Sequence, residues 1–239
     1  MSIARLVLDR PDRANALDAA TVERLHDELS AVGATADVVV LEARGRVFCG
    51  GLDMGTLDEE SDADLLLRLV RIQLLLERLA ELPALTVALV QGPAVGAGAD
   101  LALAADVRLG LPGASLRFPG AGFGAVLGTA RLAALTSPSF ATEAAATGRR
   151  ITGIEASDHG LLTPLVGRDE AEAEIARLAE ATRALPPGTT AALRRAGAPS
   201  APDPLAQLVR SLAGRPGLRD RVRQYRDRSA PARTPEGAR

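Results

Sequence analysis

Two glycine-rich turns, each following a β-branched apolar run, constrain this chain more than any other feature. Asp37-Val38-Val39-Val40-Leu41 shows no polar alternation, as expected of a strand covered on both faces. Thr86-Val87-Ala88-Leu89-Val90 is a second run of the same kind. After the first come a turn at Gly45 and Phe48-Cys49-Gly50-Gly51-Leu52-Asp53-Met54; after the second comes Gly92-Pro93-Ala94-Val95-Gly96-Ala97-Gly98-Ala99-Asp100-Leu101. Between the two strands the spacing predicts a long helix over 63–82, stopped by Pro83. This strand–helix–strand rhythm predicts a parallel sheet and an α/β fold.

The flanking segments extend the pattern. A first strand is expected at 5–9, ended by Pro11. A helix then runs from Asp18, with Val22, Leu25, Leu29 and Val32 at helical spacing and Gly33 as its stop. Beyond the second glycine turn a short helix and a strand at 107–109 are expected, then an N-cap at Ser137-Pro138 and a short helix over 153–160. From 169 the chain reads as punctuated helices over 169–185, 187–196, 204–212 and 218–226. The expected organisation is an α/β core over 1–168, a helical unit over 169–228 and a disordered tail over 229–239.

Composition narrows the function. With 28 basic and 30 acidic residues there is no basic stripe outside the Arg-rich end, so nucleic acid is not expected as a partner. Every basic side chain is Arg, which excludes Schiff-base chemistry and a lysine-dependent phosphate loop. Aromatic residues make up 2% and Trp is absent, so stacking platforms for bases are not expected either. The single Cys49 cannot form an internal disulfide, the start lacks an export-signal pattern, and the apolar stretch 65–82 is broken by Arg68, Arg71, Glu77 and Arg78. A cytoplasmic protein with no membrane span, metal or resident cofactor is the expectation.

The glycine turns carry the chemistry. Glycine lets main-chain N–H groups approach a ligand closely, and a helix N-terminus offers unpaired N–H donors. Two such turns on one parallel sheet bring two N–H groups to a crevice at its carboxyl edge. That is the make-up of an oxyanion hole, which holds charge growing on an oxygen during reaction.

Four ordered segments resemble the crotonase (enoyl-CoA hydratase/isomerase) superfamily. They are Arg10-Pro11 with Ala14-Asn15-Ala16-Leu17, Phe48 to Asp53, the span 92–106, and Ile151-Thr152-Gly153 through Gly160-Leu161-Leu162. The resemblance implies a spiral of ββα-like turns with a C-terminal helical unit, assembled as a trimer or a pair of trimers. It implies an acyl thioester substrate carried on coenzyme A or on the phosphopantetheine of an acyl carrier protein. The oxyanion donors would be the N–H groups of Leu52 and Ala97. Ala14, Ala16, Gly50, Gly51, Gly96, Gly98 and Gly120 would line the substrate. Without Lys, any coenzyme A phosphate must rely on Arg or backbone.

The chain departs from the family's hydratases where they carry a pair of glutamates to hold a water. The first position is Asp100, one methylene shorter, and the second, reached through Phe118-Pro119, is Gly120, which cannot titrate. Simple hydration is therefore disfavoured against isomerisation, decarboxylation, dehydration or C–C cleavage. A non-catalytic binding or scaffold subunit stands as the alternative. The segment 120–131, shorter than its usual counterpart, would wall the acyl pocket.

Other residues carry plainer expectations. Asp100 reads either as the acid/base or as a helix N-terminal charge. Asp53 and Asp106 read as loop organisers, His26 as a packed helix residue and Cys49 as an inert buried thiol. Ser157-Asp158-His159 has the residue types of a hydrolase triad, but helix neighbours point apart. The direction of Arg117 stays open, and Gly96-x-Gly98 lacks the remaining features of a dinucleotide site.

Overall fold

The computed structural model describes residues 2–32, 36–186, 188–197 and 203–229. The stop expected at Gly33, the helix start expected at Pro187 and the tail from 230 lie outside these residues. Ser229, assigned in advance to the tail, instead closes a helix.

Strands β1 (Ile3–Leu8), β2 (Val38–Ala43), β3 (Leu85–Val90) and β5 (Val107–Gly110) form a parallel sheet in that order. A smaller sheet joins β4 (Pro93–Val95), β6 (Ser115–Arg117) and β7 (Arg150–Thr152), with β4 and β6 parallel and β7 antiparallel. Each turn of the chain gives one strand to the large sheet and the next to the small one. In the first two turns the second strand shrinks to single bridges, Leu17 to Leu52 and Cys49 to Ala94. This is the ββα-like spiral. The three-residue strands are too short for periodicity to show, and none of them was expected.

The β-branched runs are explained by what covers them. Val39, Leu41, Ala88 and Val90 face one core cluster, which also holds Val22, Leu25 and Leu29 of α1 (Ala19–Val32) and Ile72, Leu75 and Leu79 of α2 (Asp62–Ala80). Their alternates Val38, Val40, Val87 and Leu89 face a second cluster with Ala171, Ile175 and Ala179 of α7 (Arg168–Arg183). Strand residues alternate between faces, so a helix layer on each side removes the need for polar positions.

Differences from the expected boundaries have local causes. The first strand starts two residues earlier than expected, because Ile3 and Ala4 already pair with Val38 and Val39. Helix α2 starts at Asp62, where Ser61 and Asp64 form a reciprocal capping box, and it ends at Ala80, before Pro83 is reached. Between β5 and α7 lie α4 (Thr129–Leu135), α5 (Pro138–Thr147), capped by Ser137 as expected, and α6 (Gly153–Asp158). The last helices are α8 (Thr189–Gly197), α9 (Pro204–Ala213) and α10 (Leu218–Ser229). Leu208 and Leu212 of α9 and Leu218 and Val222 of α10 close a third cluster with Leu65 and Leu69 of α2. Among the described residues no helix is long and apolar enough to cross a membrane.

Candidate active site

The first glycine turn is sewn to the loop before α1. Ala14 and Asn15 both take left-handed backbone angles, with φ of 51° and 53°, a conformation Asn tolerates better than most residues. Asn15 is buried; its amide donates to Arg44 O and Val47 O at 2.8 Å, and its carbonyl accepts from Arg10 N–H at 2.8 Å. Across this brace Gly50 N–H donates to Ala14 O at 2.8 Å and Leu17 N–H to Gly51 O at 2.7 Å.

The second turn docks on the first. Val95 N–H donates to Cys49 O at 2.9 Å, and Gly96 N–H to Arg117 O at 2.8 Å. Helix α3 (Ala97–Leu103) then begins. The seam tolerates no side chains: a Cβ at Gly98 would lie 2.4 Å from Cys49 O, and one at Gly51 would lie 2.5 Å from Val95 O and 3.4 Å from Ala97 N. Gly51 also has φ of 86°, which L side chains rarely adopt. The N–H groups of Leu52 and Ala97 thus sit on two touching turns, and neither donates a hydrogen bond among the described residues.

Asp100 stands one turn into α3 and is 3% exposed. Its Oδ1 has no hydrogen-bond partner among the described residues. Burial pushes its carboxyl up to about 8, against the opposing pull of the Arg131 charge. Gly128 presses against the carboxylate so closely that a Cβ there would overlap Oδ1. Asp100 thus stands in the first turn of α3, as the plain reading of a helix N-terminal charge has it, but buried rather than exposed to solvent.

A cavity of about 80 Å³ opens beside these groups. Of the residues singled out in advance, Gly50, Gly51, Leu52, Gly96, Ala97, Asp100 and Gly120 line it. Ala14, Ala16 and Gly98 do not; the two alanines back Gly50, and Gly98 packs on Cys49. The 120–131 segment contributes Phe123, Ala125, Leu127 and Thr129 as wall residues.

Several residues take the roles expected of them. Asp53 accepts from Arg10 and from Gly55 N–H, each at 2.9 Å, and holds its loop. Asp106 accepts from Thr86 N–H and Oγ1 at 2.8 Å and pairs with Arg194 at 2.7 Å. Burial pushes the Cys49 thiol up to about 12, which leaves it inert at neutral pH. The His26 ring meets Arg71 O at 3.2 Å, and His159 packs on the Phe140 ring. Arg117 turns away from the cavity and donates to Gly148 O at 2.6 Å.

Sequence reading missed several members of the site, Asn15, Arg131 and Tyr225 among them. Asn15 carries a local signal, because an Asn in a turn is a recognisable candidate for left-handed backbone. Arg131 was only a segment boundary. Tyr225, from α10, lines the cavity more than one hundred residues from the glycine turns, and no local signal marks it.

Comparison with known proteins agrees with this fold. A model of the family described as enoyl-CoA hydratase/isomerase matches residues 1–210. The mitochondrial enoyl-CoA hydratase domain-containing protein 2 of Bos taurus is 34% identical over 179 residues, covering 70% of this chain and 59% of that protein. The chain thus spans about three fifths of that relative's length. A crystal structure of a putative enoyl-CoA hydratase/isomerase from Bordetella parapertussis is 36% identical, with a TM-score of 0.89 and 96% of each chain covered. A putative enoyl-CoA hydratase from Thermobifida fusca YX, solved in complex with acetoacetyl-CoA, is 25% identical with a TM-score of 0.73, covering 95% of this chain and 89% of that one.

Proposed function

The chain belongs to the enoyl-CoA hydratase/isomerase family, and from that premise we propose that it is an enzyme that moves a proton on an enolate of an acyl-CoA. The observation that carries this reading is the buried Asp100, whose Oδ1 lacks a hydrogen-bond partner among the described residues, on the lining of a cavity shared with the Leu52 and Ala97 turns. The thioester oxygen accepts hydrogen bonds from the N–H groups of Leu52 and Ala97. These donors stabilise the charge that grows on that oxygen as a carbon-bound proton leaves. Ionised Asp100 takes the proton and returns it, so the residue ends as it began.

Double-bond isomerisation needs one such shuttle, because the proton lost from one carbon is regained at another. Decarboxylation, dehydration and C–C cleavage through the same enolate use the same donors. Hydration places a further demand, since a water must be held and activated. Gly120 offers no second acid for it.

Coenzyme A is the proposed thioester carrier, supported by the acetoacetyl-CoA complex of the Thermobifida fusca relative. The phosphopantetheine of an acyl carrier protein presents the same thioester and is the alternative carrier. The proposed assembly is a trimer or a pair of trimers, which light scattering measures directly.

The test compares hydration of crotonyl-CoA with isomerisation of a β,γ-unsaturated acyl-CoA on the same preparation. Isomerisation that exceeds hydration by 100-fold or more is expected, and hydration at a hydratase-like rate overturns the proposal. A non-catalytic binding subunit is the competing reading raised by Gly120. The open cavity and the Asp100 Oδ1 left without a hydrogen-bond partner among the described residues weigh against it, and acyl-CoA binding with no turnover of any substrate would favour it.

A further inference from the structure

Helix α10 is fastened over the cavity by contacts that leave little freedom at its inner face. Leu218 and Val222 are buried among Leu57, Leu65, Leu208 and Leu212. Asp62 accepts from the N–H groups of Leu218 and Arg219 at 2.9 and 2.7 Å, fixing the start of the helix. Arg221 donates to Phe123 O at 3.0 Å, and Arg223 and Arg226 both reach Asp58 at 2.9 Å. Residues three and four apart share a helix face, so Tyr225 follows Val222 toward the cavity.

The Tyr225 ring sits against Phe123, with centroids 5.5 Å apart at 58°. It also lies on Gly122, where a Cβ would fall 2.9 Å from Cδ2. The backbone at Gly122 and the buried α10 anchor thus hold the ring from both sides. Leu69, Phe123 and Leu127 complete the apolar wall around it.

We propose that Tyr225 sets the length of acyl group this site admits, and that the admitted class is short, uncharged acyl thioesters. The inference rests on the acyl-thioester reading above and deepens it. An engineered cavity of about 150 Å³ takes a benzene ring, so a cavity of about 80 Å³ has room for roughly three or four carbons. No cation stands among the lining side chains and the Arg131 charge already acts on Asp100, so a substrate carboxylate would be buried without a partner of its own, which is strongly unfavourable.

Calorimetric titration with saturated butyryl-, hexanoyl- and octanoyl-CoA tests this without turnover. For the unmodified protein, affinity is expected to fall at least tenfold from butyryl to octanoyl. Tyr225→Ala is expected to recover octanoyl binding at least tenfold, with butyryl binding changed less than threefold. Tyr225→Phe keeps the ring and the original profile, whereas Tyr225→Trp enlarges it and weakens hexanoyl binding at least fivefold. If the alanine variant does not fold, the contrast between Phe and Trp decides. A length profile shared by all folded variants, or no length preference in the unmodified protein, overturns the inference while leaving the enzyme reading intact. Binding of no acyl-CoA by the unmodified protein overturns the acyl-thioester reading itself, and this inference with it.

Discussion

Replacing Asp100 with Asn keeps the shape of the side chain and removes its titration, which isolates the energetic consequence of burying this carboxyl. Its value is 3.8 when exposed and about 8 in the folded chain, with burial as the cause. Between those values the folded protein keeps a proton that the unfolded chain releases. Stability contributed by this group is therefore full below about 4, falls as pH rises toward 8, and is level above it. A displacement of roughly four units at 1.36 kcal/mol each amounts to something on the order of 5 kcal/mol across the window. The Asn variant carries no such slope. Urea unfolding of both proteins at pH 5, 6 and 7 should show Asp100→Asn gaining about 1.4 kcal/mol per pH unit relative to the parent. Titrations common to both proteins cancel in that difference. Curves that stay parallel across the window would refute the claim that Asp100 is held protonated by burial. On the proposed mechanism the same ionisation governs turnover, because only the carboxylate accepts a proton. Parent kcat/KM is expected to climb about tenfold per unit below pH 8 and then level, and the Asn variant to lose turnover.

Three further outcomes follow from the seam of glycine turns. Ala97→Pro deletes one N–H at the first position of α3, where proline is well tolerated, so kcat should drop about 10²- to 10³-fold with little change in melting temperature. An unchanged kcat would remove Ala97 from the mechanism. Gly98→Ala drives a Cβ against Cys49 O, 2.4 Å away, and should cost about 1–3 kcal/mol in urea unfolding as well as most of the activity. The Cys49 thiol, buried and pushed up to about 12, should give no reaction with a disulfide reagent at pH 8 in the native protein and one thiol per chain after denaturation.

The parts of the fold that were legible in the sequence are those whose pattern is local. Val38 to Leu41 and Val87 to Val90 announce two-sided burial by lacking polar alternation, and α7 on one face with α1 and α2 on the other supplies it. The glycine turns were legible because Gly51 and Gly98 occupy positions where a single Cβ would collide with backbone. What was not legible is pairing at long range. Strands β4, β6 and β7 have three residues each and exist because Cys49, Ala94, Leu116 and Ile151 stack across distant turns of the spiral. Tyr225 escaped for the same reason, since its place in the cavity depends on Asp58 and Asp62 holding α10, contacts that span more than 150 residues. The environment of Asp100 was half legible: its position followed from the motif, whereas its buried state depends on the later Gly128 closing over it.

The surroundings of Gly120 bear on the proposed single-acid reading. A Cβ at Gly120 would lie 3.3 Å from Ala125 O and 3.6 Å from Ala125 Cβ, so Ala125 would have to give by a few tenths of an ångström to admit a side chain there. The same segment turns Phe123, Ala125 and Leu127 to the cavity, all apolar. A glutamate placed on that wall would meet no donor among these residues and would be pushed toward its neutral form. Two neutral acids cannot draw a proton from water, which a hydratase must do. One acid whose value lies near 8 can both take a proton from a carbon next to a polarised thioester and give it back. On the proposed single-acid reading, placing Glu at 120 alone is not expected to produce a hydratase, and crotonyl-CoA hydration by Gly120→Glu at a hydratase-like rate would refute that reading.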